Sequence, residues 1–247
     1  MKLGRSLNIT LLALLSIGGI ALARTTIDME LGSVFSGYND VRIPGKGGTL
    51  FSLSRELRSD NSAFGRLRAG YRFGGRHTVS ILAAPLRINS SGSSPRDIMY
   101  MGKIFPAGST LTSRFRFDSY RLTYRWDAIR RERLTAGFGF TSKIRDASIS
   151  LEGGGQSAEK KNTGFVPIVN FRLAYALSGR LTALLEGDAL AAPQGRAEDV
   201  FGGASCRLGR RVSLKAGYRV LEGGAENDEV YTFSLFHYAV VGAIVDL

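Results

Sequence analysis

The chain has 247 residues, a formal net charge of +12 and 22% charged residues, enough for one mid-sized domain or one β-barrel and nothing that demands two. A single cysteine excludes an internal disulfide, and two histidines leave little from which to build an ordinary zinc site. Beyond the N-terminus, glycine, arginine or serine interrupts every apolar run, which excludes a membrane-crossing helix.

The first residues read as a signal peptide, 1–23. Lys2 and Arg5 form its charged start, the apolar run from Ile9 to Ile20 its middle, and Ala21-Leu22-Ala23 a small-x-small cleavage site. Cleavage after Ala23 would remove two of the 33 basic residues and none of the 21 acidic ones, leaving +10. A secretory leader argues against nucleic acid as the partner of that charge. Lipopolysaccharide phosphates, acidic lipids or an arginine-lined cavity fit better.

Residues 24–247 then run as one domain of alternating segments. Met29, Leu31 and Phe35 share one phase of a first strand, with Asp28 and Glu30 on the other. The turn formers of 39–48 predict a loop. Thr49 to Asn61 is ambiguous, and is taken as an extended arm of the first long hairpin. Leu67, Ala69, Tyr71 and Phe73 alternate with Arg66, Arg68 and Arg72, and Gly74 to His77 predicts a tight turn. Val79, Ile81 and Ala83 return, and Asn89 to Thr110 reads as a large loop.

Thr112 to Trp126 carries two phases. Phe115 and Phe117 are apolar at odd positions, whereas Tyr120, Leu122, Tyr124 and Trp126 are apolar at even ones. The slip predicts a β-bulge at Asp118-Ser119. Leu134, Ala136, Phe138 and Phe140 follow, with the strand continuing through Ile144, and then a loop over 146–163. Val169 to Leu177, Leu181 to Leu185, Val200 to Leu208 and Val212 to Val220 alternate in the same way. Cys206 shares an apolar phase and reads as a small wall residue. In the last segment Ala239, Val241, Ala243, Val245 and Leu247 share one face. The ending "GAIVDL" resembles the C-terminal signal of outer-membrane barrels, with Leu247 where those chains usually finish in Phe.

Short connections near 74–76, 127–131, 178–180 and 209–211 alternate strictly with longer ones near 38–62, 89–111, 146–163, 191–196 and 222–229. Transmembrane barrels behave this way, with short turns periplasmic and long loops outside. The fold class is therefore all-β, an antiparallel up-and-down transmembrane β-barrel of about ten strands, with eight or twelve as alternatives. The stretches "FRFDSYRLTYRW", "IRDASISL", "GRAEDV" and "GYRVLEGG…VYTF" resemble a group of bacterial outer-membrane β-barrel proteins. That resemblance implies a membrane barrel in the outer membrane of a Gram-negative cell and hands over no catalytic or ligand residues.

With the apolar phases toward lipid, Arg66, Arg68, Arg72, Arg121, Arg125, Lys143, Arg172, Arg207, Lys215 and Arg219 face the lumen. Glu30, Asp118, Glu186 and Asp188 are the candidate counter-charges. The bland reading is a lumen plugged by salt bridges in a structural or envelope-associated protein, monomeric and in contact with lipid and lipopolysaccharide. The alternative is a narrow channel for small anionic or polar solutes, and the third a barrel enzyme acting on lipid or peptide. Against catalysis, His77 sits at a short turn and His237 in the last strand, neither with a serine or acidic partner at recognisable spacing. Asp127, Asp199 and Asp228 read as solvated turn carboxylates, and Lys160 and Lys161 as loop cations. No catalytic residue, metal ligand or cofactor is expected.

Overall fold

The computed structural model describes residues 24–193 and 195–247; the segment expected to be a signal peptide lies outside the described residues. Ten antiparallel wall strands follow one another. They are β1 (Arg24–Arg42), β2 (Ser62–Phe73), β3 (His77–Ala84, continued by Arg87–Ser93), β4 (Thr110–Arg130), β5 (Leu134–Gly153), β6 (Gln156–Ala176), β7 (Leu181–Ala192), β8 (Gly195–Arg207), β9 (Val212–Glu226) and β10 (Tyr231–Asp246). Each pairs with the next, and β10 pairs back onto β1 from Thr26↔Asp246 to Arg42↔Tyr231. Closure leaves no free edge around the turn-end half of the wall; toward the loop end β6 from Gln156 to Ile168 pairs only with β5. Ten strands agree with the sequence expectation, but of the five connections expected to be long only 43–61 and 94–109 are; the other three are tight turns at the tips of prolonged strands. The "GGRH" turn is present, with Gly74 and Gly75 at φ of 56° and 74° where a side chain would be strained.

The strands are longer than a bilayer requires. β4 and β6 have 21 residues each and β5 has 20, about 65–70 Å along the strand, whereas about 9–11 tilted residues cross the hydrocarbon. The surplus extends the wall at the end with the longer connections, the loop end, opposite the short-turn end. Much of what reads as loop in the sequence is continued strand. β5 and β6 pair out to Gly153↔Gln156, and β9 and β10 out to Glu226↔Tyr231. β3 resumes at Arg87 after Pro85, which has no N–H to give the ladder.

Polarity inverts along these long strands. Near the turn end of β4, Tyr120, Leu122, Tyr124 and Trp126 are exposed, while Ser119, Arg121 and Thr123 are buried. Nearer the loop end the inward phase continues through Phe115, Ser113 and Leu111, all buried, and the outward phase through Arg114 and Thr112, both exposed. β5 repeats the pattern: Phe138, Phe140 and Ile144 face out low on the strand, and Ile149 and Leu151 are buried high on it. No bulge occurs at Asp118-Ser119. Both residues keep their register, Asp118 opposite Asp146 and Ser119 opposite both Arg145 and Ala84. The apolar phase changes because the surroundings change, from lipid outside a polar lumen to water outside an apolar core. The irregularities lie elsewhere, at Gly37 on β1 and opposite Ala136–Phe138 on β4.

The apolar core of the loop end is completed by the long connections. From 43–61, Ile43, Phe51, Leu53 and Leu57 turn inward, held by a short strand Phe51–Ser52 against β1 and another, Leu57–Ser59, against β3. The expected extended arm is thus a folded cap and adds no wall strand. From 94–109 a hairpin, Ile98–Tyr100 with Lys103–Phe105, buries Ile98, Tyr100 and Phe105 completely. The Tyr100 hydroxyl donates to the Ile149 carbonyl at 2.8 Å, and burial raises its phenol above the ordinary pKa.

The turn end has the opposite character. Nine arginines (Arg24, Arg76, Arg130, Arg131, Arg133, Arg180, Arg207, Arg210 and Arg211) are exposed there, and none forms an ion pair among the described residues. Arg76 and Arg130 donate only to the Ala128 and Gly75 carbonyls. Arg207, expected inside the lumen, belongs to this rim: its phase is inward, but it lies at the last residue of β8 and is open to water.

Candidate functional site in the barrel lumen

Midway along the barrel the inward phases of seven strands bring charges to one level, with Thr141 of β5 beside them. Asp199 on β8 accepts from Arg66 on β2 at 2.9 Å, from Arg219 on β9 at 2.6 Å and from Arg121 on β4. Glu30 on β1 accepts from Arg219 at 2.7 Å and from Lys215 on β9 at 2.6 Å. Lys215 also donates to Asp28 at 3.1 Å and to Glu186 on β7 at 2.9 Å, and Glu186 accepts from Arg172 on β6 at 3.1 Å. At the other end of the chain of contacts, Asp188 accepts from Arg121 and from Thr141 on β5, both at 2.6 Å, and from Asn170 at 2.8 Å. Glu30, Arg66, Arg121, Glu186, Asp188, Asp199, Lys215 and Arg219 are each at most 7% exposed.

An aromatic ring is built into this network. Lys215 Nζ lies 4.4 Å from the Phe201 ring centre and the Arg219 guanidinium 5.4 Å from it, a favourable arrangement for desolvated cations. Gly203 and Gly217 make room for that ring, since a Cβ on either would come within 2.6 or 2.7 Å of Phe201 Cζ. Asp28, Glu30 and Glu186 converge closely enough to hold a metal ion, but the Lys215 ammonium already sits among them, so the cation of that cluster is part of the chain.

The remaining lumen residues expected from the sequence lie outside this level. Arg68 flanks it toward the turn end, 3.5 Å from Glu186. Lower still, Arg125 and Arg72 stand 3.6 and 4.0 Å from Asp127, a buried carboxylate that accepts no hydrogen bond from the side chains or backbone of the described residues. Lys143 stands apart from the network toward the loop end. Asp118, expected as a lumen counter-charge, shares the outward face of Tyr120 and binds Arg87 there, with Arg116 at 3.9 Å. Asp199 and Asp127, taken as solvated turn residues, are 2% and 1% exposed; Asp199 is the acceptor on which three arginines converge.

The two histidines lie far from these charges. His77 pairs with Tyr124 at 2.8 Å and stacks on Phe73, and His237 pairs with Tyr218 at 2.6 Å and stacks on Phe35. Tyr124, Phe73 and Tyr218 are exposed on the outer wall, where aromatic girdles form. Cys206 is a free, exposed wall residue.

Toward the loop end, inside the wall, a cavity of about 420 Å³ opens between β4, β5 and β6 on one side and β8, β9 and β10 on the other. Its walls include Phe115, Phe117, Ile149, Val166, Leu221 and Phe236, and Lys143 and Arg145 reach it from β5.

No family model matches the chain, and no curated protein does. Among solved structures it is similar to the outer membrane protease OmpT from Escherichia coli, with a TM-score of 0.59 at 9% identity over 91% of this chain and 97% of that one. The transport unit of the autotransporter AIDA-I from Escherichia coli gives 0.47 at 7% identity over 94% of each chain. Ail, the attachment invasion locus protein of Yersinia pestis, in complex with a heparin analogue, gives 0.40 at 10% identity over 90% and 99%. A closed ten-strand wall, the apolar belt around its turn-end half and the likeness to OmpT give this chain the fold of an outer-membrane β-barrel.

Proposed function

We propose that the protein is a closed, non-conducting and non-catalytic barrel with a structural or envelope-associated role, its working surface being the folded loop end. The observation that carries this reading is the network on Asp199, Glu30 and Glu186, which fills the lumen at mid-depth with buried, mutually paired side chains. Buried ions paired on several sides cannot be displaced by a passing solute without leaving a charge uncompensated, which costs several kcal/mol per ion. The positions of His77 and His237 on the outer wall support the absence of an acid–base centre. The rim arginines suit the phosphates of the surrounding leaflet, with lipid as the partner of a single barrel. The test is planar-bilayer recording of the refolded wild type: no steady single-channel current is expected, and a stable ohmic current sinks the reading.

A second reading, a narrow path for small anions, is favoured by one observation. Arg68, Arg72, Arg125 and Arg172, from the lower edge of the network toward the turn end, have within 4 Å only Asp127, Asp28 and Glu186 among the described residues, and Lys215 already binds the last two. It requires anion-selective current in the same recording, lowered when Arg121 and Arg125 are both replaced by Gln.

A further inference from the structure

The cavity at the loop end contains a cation with no carboxylate within ion-pair distance among the described residues. Lys143 is 3% exposed, lines the cavity, and forms neither an ion pair nor a side-chain hydrogen bond among the described residues. Its Nζ lies 4.8 Å from the centre of the Phe117 ring. Two residues along the same inward face, Arg145 donates to the amide oxygen of Asn162, has no carboxylate partner, and leaves its Nε without an acceptor. The other two basic residues of the cavity are already engaged, Lys160 with Glu229 at 3.6 Å and Arg196 with Glu222. Burying an unpaired ammonium is costly unless something answers its charge.

We propose that this cavity binds a single-chain anionic amphiphile, of which a medium-length alkyl carboxylate is the simplest member. Its head sits on Lys143 and Arg145, and its chain lies along Phe115, Ile149, Val166, Leu190 and Phe236. The two cations without a carboxylate partner stand on the same face of one strand, which suits one compact anionic head, and the surrounding wall is mostly apolar. A neutral apolar ligand would leave Lys143 without an anionic partner. A multiply charged anion would find too few free donors, because Lys160 and Arg196 are occupied. About 420 Å³ is at the small end of ligand pockets, roughly 300–1,000 Å³, a size for one short chain. Asn227 and Glu229, both exposed, line the cavity as well, so a ligand can enter from the loop end without passing the mid-depth network. Binding here is independent of whether the barrel conducts.

The test uses the full barrel held in an amphipathic polymer, its folded state checked by heat-modifiable gel mobility, and titrated with octanoate by calorimetry. Saturable binding of one octanoate is expected, weakened at least tenfold in Lys143→Met and at least tenfold weaker for octylammonium on the wild type. Ala147→Trp, which fills the cavity and keeps both cations, should abolish binding. The proposal is overturned if the folded wild type shows no saturable binding, if Lys143→Met binds octanoate unchanged, or if octylammonium binds as well as octanoate. Bilayer recording reads current and calorimetry reads binding, so failure of one leaves the other standing.

Discussion

Replacing Asp199 by asparagine should cost the barrel about 3–5 kcal/mol, the range found when one partner of a buried ion pair is removed. Asparagine keeps the shape of the side chain and one oxygen acceptor. It removes the negative charge that Arg66, Arg121 and Arg219 share. Of those three, Arg219 retains Glu30, Arg121 retains Asp188, and Arg66 retains only Glu30 at 3.4 Å. Arg66→Met in the same chain should therefore recover part of the loss. Denaturant unfolding from lipid vesicles, followed through Trp126 on the lipid-facing wall, reads the change. Asp228→Asn is the control. It pairs with Lys46 at the surface, with side chains 75% and 79% exposed, so its loss should fall within about 1 kcal/mol. Equal destabilisation by the two variants would mean that the network contributes no more than a surface pair.

The second large effect concerns where the membrane ends. Leu122 and Thr112 lie on the same face of β4, five alternations apart, and both are exposed. If the wall changes surroundings between them, Leu122→Arg places a guanidinium against hydrocarbon and should cost about 2–4 kcal/mol. Thr112→Arg places it in water beside Arg114 and should change stability by about 0.5 kcal/mol or less. Arginines placed in turn at 120, 122 and 124 would trace the thickness of the belt through the same unfolding assay. A comparable loss at Thr112 would show that the loop-end wall is also immersed, and the account of the inverted strands would fail.

Period-two alternation made the wall legible from the sequence, because the side chains of a strand must choose between two faces whatever lies beyond them. It does not say what lies beyond them. Phe115 and Phe117 against Tyr120 and Leu122 gives the same string whether the strand slips by one residue or its two solvents exchange places, and only the pairing with Asp146, Arg145 and Ala84 separates the cases. Depth is hidden for the same reason. Arg207 and Asp199 share one phase of β8; one ends at an exposed rim and the other under three arginines. The parity that placed Arg207 inward would have placed Asp199 inward too, had the nearby turn formers Pro193 and Gly195 not suggested a solvated loop. Parity places Lys143 inward, but its lack of a carboxylate partner depends on seven other strands, which no local pattern contains.

The arginine rim has a bearing on how such a wall enters a bilayer. In barrels of this type the short turns stay on the side from which the chain arrives, so the loop end must be carried across. The rim arginines, accompanied only by Glu132 and Asp246, never make that passage. Residues 38–60, 86–116, 145–163, 195–198 and 222–229 do make it, and they hold thirteen basic and twelve acidic side chains. Several are matched in the folded wall, among them Arg42 with Glu226, Arg55 with Asp40 and Arg96 with Glu56. Each unpaired arginine drawn through hydrocarbon costs a few kcal/mol. The loop end is nearly neutral and the turn end strongly cationic, so insertion with the loop end leading has a low barrier and insertion with the turn end leading a high one.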